Sequence, residues 1–162
     1  MVPTHLIKGL IFCTLLFSSF QKAEARSIHT IHFSYLSDVM HKKTDTTYVI
    51  NFFATWCSPC IKEIPEILDF EKKVEGKKIR VLFVSLDAVK DSQTKLLLLM
   101  DKYLKEHTVY LLDEPNANNW IDKIDKKWSG SIPATLIINH RKKKKLLITN
   151  PLNSSELTQL CK

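Results

Sequence analysis

From residue 47 onward the chain alternates short apolar runs with longer stretches in which apolar positions recur every three or four residues. Residues 47–54 (Thr-Tyr-Val-Ile-Asn-Phe-Phe-Ala) are dominated by β-branched and aromatic side chains and predict a buried strand. Residues 58–75 predict a helix with Ile64, Ile67, Leu68 and Val74 on its apolar stripe and Pro59 in the tolerated first turn. Gly76 supplies a stop, and Pro65, inside the helix, is expected to kink it. A second buried strand is predicted at 79–86. Asp91 is expected to cap a helix reaching about residue 106, packed through Leu96, Met100, Tyr103 and Leu104. A short strand follows at 109–112, then a helix at 118–127 with Trp120, Ile124 and Trp128 at four-residue spacing. Two strands, 134–139 and 145–149, flank a basic turn, and a helix at 154–160 closes the pattern. Alternation of this kind predicts an α/β fold around a mostly parallel sheet that ends in an antiparallel hairpin.

Ahead of this body the pattern changes. Residues 9–20 carry no charge, Lys8 precedes them, and Ala23-Glu24-Ala25 places small residues before Arg26. That is the layout of a secretory signal peptide, and an apolar stretch of this length falls short of the roughly 20 residues of a membrane span. The expected organisation is a signal peptide at 1–25, with an uncleaved tether through 9–20 as the alternative, and one domain at 26–162. The destination is periplasmic or otherwise extracytoplasmic. Cys13 follows Phe12, where a lipoprotein signal would want a small residue.

Charge and composition narrow the reading further. The chain has 162 residues, 44% hydrophobic and 25% charged, which suits one domain with a real core. Its formal net charge is +7, and cleavage after Ala25 would remove Lys8, Lys22 and Glu24. A basic balance raises nucleic acid or a membrane surface as partners. Export argues against nucleic acid, and membrane contact is expected only if the N-terminal segment stays attached. Four cysteines are too few for a disulfide-stapled miniprotein.

The chemistry concentrates at Trp56-Cys57-Ser58-Pro59-Cys60, directly after a predicted strand and at the opening of a predicted helix. A helix N-terminus presents unpaired amides and the positive end of the dipole, which stabilise a thiolate at the first cysteine. Cys60 lies one turn further on, near enough to close a disulfide. Half of a structural zinc site has the same spacing, but no second Cys-x-x-Cys or His-x-x-x-His completes four ligands. A purely structural disulfide would be expected to tie distant segments together. Redox chemistry is the reading that remains.

The segment Asn51-Phe-Phe-Ala-Thr-Trp-Cys-Ser-Pro-Cys-Ile-Lys-Glu-Ile-Pro65 resembles the active-site segment of thioredoxin-fold proteins, specifically the exported TlpA/ResA-like thiol-disulfide oxidoreductases related to the AhpC/TSA group. Ser131-Ile-Pro-Ala-Thr135 is similar to the loop that carries the cis-proline of that family. The resemblance covers about residues 47–150. It implies a thioredoxin-like α/β fold, a central mixed sheet flanked by helices, with an extra helix-strand insertion between the Cys-x-x-Cys motif and the cis-proline loop.

It also implies roles. Cys57, exposed at the helix start, would attack a substrate disulfide, and Cys60 would resolve the mixed disulfide. Trp56 and Pro59 would shape the rim, although Trp56 reads equally well as half-buried packing. Pro133 would be the cis-proline beside the disulfide, and the backbone at Ile132 would pair with an extended substrate segment; the bland reading of Pro133 is an ordinary turn. Glu63, one turn beyond Cys60, would exchange protons with the thiols, against the alternative of a solvated helix residue. Asn51 stands where ordinary thioredoxins place a buried aspartate, which raises the interest of Glu63. The expected activity is reduction of disulfides in exported proteins, with a membrane thiol carrier as electron donor and no cofactor beyond the Cys57–Cys60 pair. The alternative is a copper-binding module of the same fold using Cys57, Cys60 and a histidine. Its relatives have a Cys-x-x-x-Cys spacing, however, and only two residues intervene here. A peroxiredoxin-type peroxidase would need a different motif around its cysteine.

The remaining features read as bland. Arg141-Lys-Lys-Lys-Lys145 is expected to decorate the hairpin turn as a solvated face, where lysines discourage edge pairing, with a patch for an acidic partner as the alternative. His29, His32, His41, His107 and His140 lack ligand spacing with one another. Cys161 is the odd cysteine, either a free thiol or one half of an intermolecular bridge.

Overall fold

Every residue of β2 (Thr47–Phe53) is buried, as a strand covered on both faces of a sheet requires. The computed structural model describes residues 27–162. The segment at 9–20 and the cleavage pattern before Arg26 lie outside the described residues. Among those described, β2 sits within a six-stranded sheet that also contains β1 (Ser27–Ile31), β3 (Ile79–Ser85), β4 (Thr108–Leu112), β5 (Ala134–Asn139) and β6 (Lys144–Ile148), ordered β1-β4-β3-β2-β5-β6. The first four positions in that order are mutually parallel, and β5 and β6 form the antiparallel hairpin.

The alternation of β2 divides the core. Val49 and Phe53 face a layer built from α2 (Ser58–Lys73), α3 (Val89–Lys102) and α5 (Ser154–Leu160), through Ile64, Ile67, Phe70, Leu96, Met100 and Leu157. Tyr48, Ile50 and Phe52 face the other layer, built from α1 (Phe33–His41), α4 (Ile121–Ile124) and two tryptophans. Phe52 is fully buried, with ring centroids 6.4 Å from Trp120 and 5.0 Å from Trp128.

Several sequence expectations are corrected. β1 and α1 were not expected: β1 is a short edge strand with His29 and Thr30 exposed, and α1 buries just Leu36 and Met40. Neither segment carries a long apolar period. The third helix begins at Val89 behind an Ala88 N-cap, so Asp91 lies inside it, and it ends at Lys102 rather than near 106. Leu104 is still fully buried beyond its end, which is why the apolar period overran the helix. The helix expected at 118–127 is a 3-10 turn (Ala117–Asn119) followed by the single turn of α4. Trp120, Ile124 and Trp128 are all buried nonetheless. Trp128 reaches the core from a turn, with its indole N–H donated to the Ser131 carbonyl at 2.9 Å.

Phe52→Ala removes the ring between two tryptophans and is expected to destabilise the protein by about 3–5 kcal/mol. Urea unfolding followed by tryptophan fluorescence, with the disulfide kept oxidised, measures it. A loss below about 1 kcal/mol would mean that the layer closes over the gap.

Candidate functional site

The site is assembled where β2 ends. The Cys57 N–H donates to the Ala54 carbonyl at 3.1 Å, closing a turn that leads into α2. Cys57 is the N-cap of α2, and the Cys60 N–H donates to its Sγ at 3.3 Å. Pro59 suits the first turn because its missing N–H would have had no helical partner there. That turn holds no acidic residue, while Lys72 and Lys73 occupy the last turn. The positive end of the helix dipole therefore faces the Cys57 sulfur without local neutralisation. Cys57 and Cys60 are joined in a disulfide, with their Cα atoms 5.3 Å apart.

Exposure across the motif is uneven. Trp56 is 69% exposed, which removes the half-buried packing role for its side chain. Ser58 and Pro59 are exposed as well. Cys57 is not the exposed residue expected: it retains 6% of its surface and Cys60 none, because both sulfurs sit within the core cluster under α2 and in the bridge. The small remaining surface lies on Cys57. Ile132 is half-buried and packs against the same cluster, and the Ile132–Pro133 peptide is cis. The antiparallel register that pairs Phe52 with Ala134 carries this loop past the end of β2, where the Cys57 turn begins.

Glu63 is 3% exposed and so is not a solvated helix residue. Its Oε2 accepts from Asn51 Nδ2 at 3.0 Å, and its Oε1 accepts from the Leu152 N–H at 2.8 Å. Asn51 Nδ2 also donates to Thr135 Oγ1 at 3.1 Å, so one amide links α2, β2 and the strand that follows the cis-proline. Burial pushes the Glu63 pKa above its ordinary value, and the Leu152 and Asn51 hydrogen bonds pull the other way. Glu63 also lines a groove of about 450 Å³ beside Pro59, Lys62, Glu66, Leu152 and Glu156, which gives its surroundings an opening to solvent.

Sequence reasoning missed the clamp behind Trp56. Asp87, buried in the β3–α3 loop, accepts from the Thr55 N–H through both carboxylate oxygens at 3.2 and 3.0 Å. It also accepts from Thr55 Oγ1 at 2.7 Å and from Ser85 Oγ at 2.7 Å. The Leu86 N–H donates to the Phe53 carbonyl at 2.8 Å, tying the two loops together a second time. An aspartate just after a buried strand was the available signal.

Elsewhere, the basic run forms the hairpin turn and the start of edge strand β6. Cys161 is a free thiol and buried, which speaks against an intermolecular bridge, and burial raises its pKa despite Lys144 and Lys142 nearby. Among the described residues no group of three or more His, Cys, Asp or Glu side chains is arranged to hold a metal ion, so the copper alternative lacks a third ligand beside the cysteine pair.

Two outcomes follow from this geometry. Asp87→Ala leaves the Thr55 and Ser85 donors without their acceptor and is expected to cost roughly 1.5–3 kcal/mol, with Asp87→Asn intermediate, in urea unfolding of the oxidised protein. Glu63 holds a proton in the folded protein over a pH interval in which the unfolded chain has already released it. Its contribution to stability therefore falls as pH rises from the ordinary carboxylate range through the raised folded pKa. Glu63→Gln removes that dependence, so the variant is expected to gain on wild type in urea midpoint between pH 4 and pH 8. A gap that narrows over that range contradicts the raised pKa.

Comparison with known proteins supplies the context. A family model described as "Thioredoxin-like" matches residues 45–144, which contain both the cysteine pair and the cis-proline. The thiol-disulfide oxidoreductase ResA of Oceanobacillus iheyensis is 28% identical over 90 residues, which are 56% of this chain and 42% of that protein. The chain thus spans less than half the length of that curated relative. Among solved structures, a thioredoxin-related protein from Neisseria meningitidis superposes with a TM-score of 0.61 at 20% identity, over 74% of this chain and 85% of that one. StoA from Bacillus subtilis gives 0.57 at 17% identity, over 75% and 86%. At such identities these likenesses speak for the fold. With the family model extending over more than half of its length, the chain belongs to the thioredoxin-like family.

Proposed function

We propose that this protein is an extracytoplasmic thiol-disulfide oxidoreductase that reduces disulfides of exported proteins through Cys57 and Cys60. The observation that carries this reading is the cysteine pair closed across the first turn of α2, with a buried carboxylate one turn behind it. The reaction starts from the dithiol. The Cys57 thiolate attacks one sulfur of a substrate disulfide, a Cys57–substrate bond forms, and the other substrate sulfur leaves as a thiolate. Cys60, deprotonated, then attacks Cys57 Sγ, which closes the internal disulfide and releases the second substrate thiolate. Two electrons pass to the substrate, and the protons of the two thiols end on its sulfurs.

Cys60 has no exposed surface in the oxidised protein, so its proton needs a route through the interior. Glu63 is the group suited to take it: one turn along the helix, held by Asn51 and Leu152, and adjoining the groove to solvent. Trp56 and Pro59 form the exposed rim against which a substrate chain would lie, and the Ile132 backbone before Pro133 would pair with it. In this reading α3 and β4 are the helix-strand insertion that distinguishes the branch from a minimal thioredoxin. Residues 1–25 are the export signal or tether, and residues 26–162 form the domain. Re-reduction falls to a membrane thiol donor. The name of the ResA relative, a thiol-disulfide oxidoreductase, supports the reaction class.

Insulin reduction in the presence of a small dithiol tests the activity. Wild type is expected to turn over, Cys57→Ser to be inactive, and Cys60→Ser to accumulate a mixed disulfide through Cys57. Glu63→Gln is expected to slow the resolving step by about 10²-fold at neutral pH. Equilibration with a thiol buffer tests the direction: a potential near roughly −270 mV fits a reductase, and one near roughly −120 mV would reverse the assignment.

A further inference from the structure

The topology gathers exposed basic side chains at one end of the molecule. Because β1, β4, β3 and β2 are parallel, their N-terminal ends lie at one end of the sheet, and the Cys57 turn follows the C-terminal end of β2 at the other. The register Tyr48↔Ile138 brings the β5–β6 turn to the N-terminal end, far from the redox site. That end is strongly basic. The loop before β2 presents Lys42 and Lys43, the loop before β3 Lys77 and Lys78, and the hairpin turn Arg141, Lys142 and Lys143, all exposed. The acids among these loops are few: Asp45, paired with Lys78 at 3.2 Å, Glu75, and Glu106 before β4. The loops at the redox end are less densely basic: Lys90, Lys126 and Lys127 are exposed there, beside the half-buried Asp113, Glu114 and Asp125, while Asp87 is buried.

A second, independent observation bears on what the basic end meets. Ser27, the first residue of β1, pairs with Thr108, the first residue of β4, so the chain enters the domain at this same end. The sequence preceding that entry contains the uncharged stretch 9–20. In the reading in which residues 9–20 stay attached as a tether, this entry point puts the basic loops on the side of the lipid headgroups. Lys142 and Lys144 donate to the carbonyl oxygens of Lys162 and Leu160, which ties the hairpin turn to the end of the chain and fixes its place on this end.

We propose that the basic end is a docking surface for an anionic lipid bilayer, built from Lys42, Lys43, Lys77, Arg141 and Lys143. Docked this way, the molecule turns Trp56, Cys57 and the Ile132–Pro133 loop away from the membrane, toward extended protein segments. The attraction is electrostatic and falls with salt over a Debye length of roughly 8–10 Å at physiological ionic strength.

The full chain is tested for co-sedimentation with vesicles of pure phosphatidylcholine and of phosphatidylcholine with phosphatidylglycerol. Binding to the anionic vesicles is expected to exceed binding to the neutral ones, with a gap that shrinks as salt is raised. Each basic residue near an anionic surface is worth about fivefold in partitioning. The K42Q/K43Q/R141Q/K143Q variant is therefore expected to lose about 100-fold or more on anionic vesicles, while its residual binding to neutral vesicles and its insulin reduction stay at wild-type level. K126Q/K127Q, at the redox end, is expected to bind as wild type. Equal binding of wild type to both vesicles would overturn the proposal, as would equal losses in the two variants. Salt-sensitive retention on polyglutamate without a preference for anionic vesicles would also overturn it and assign the surface to an acidic protein.

Discussion

A carboxylate one helical turn behind the disulfide-forming cysteine pair cannot be buried unless other elements bring it partners, and this requirement organises the centre of the molecule. Glu63 is 3% exposed, and its two oxygens are met by donors from different parts of the chain. Asn51 comes from the middle of β2, and the Leu152 N–H from the segment between β6 and α5. Asn51 also holds Thr135, two residues beyond Pro133. The neutral amide suits this position because it can bind a carboxylate and a hydroxyl at once, where an aspartate would repel the charged Glu63. The same burial raises the Glu63 pKa, so the demand for partners and the shifted titration arise from one arrangement.

The loops around that centre are joined by hydrogen bonds of their own. Asp87 accepts from Thr55 and Ser85, which locks the turn between β2 and α2 against the turn between β3 and α3. Trp56, immediately after that clamp and 69% exposed, is presented to solvent from a hydrogen-bonded turn. The parallel sheet then separates this end from the basic one. The cysteine pair and the densest cluster of exposed basic residues thus lie at opposite ends of the same strands, as strand direction requires once the pair follows β2 and the lysines sit in the loops that precede the strands.

Legibility in the sequence followed the strength of the local signal. β2, β3, β5 and α2 were readable because long apolar runs, a proline in the first turn and a closing glycine coincide there. β1 and α1 were not, since a five-residue edge strand and a nine-residue helix with two buried side chains carry too little period to register. α3 was displaced at both ends: it starts without a side-chain cap, and its apolar spacing continues into Leu104 after the helix has ended. At 118–127 the four-residue spacing correctly marked three buried side chains and wrongly implied a continuous helix. A turn can deliver a tryptophan to the core as well as a helix can.

By itself the sequence determined the cysteine pair and its local setting: two cysteines two residues apart between a buried strand and a helix, and a proline before another strand. These are properties of neighbouring residues, and spacing encodes them directly. Tertiary structure alone decided that Cys57 is largely covered, that Glu63 is buried and partnered, that Asp87 clamps the Trp56 turn, and that Cys161 lies inside. Each depends on atoms brought together from 12 to 89 positions apart, or on layers that cover a side chain from outside its own segment. No window along the chain contains both members of such a pair in their folded relation, so the strand order and the packing of helices on the sheet had to be known before those contacts could be seen.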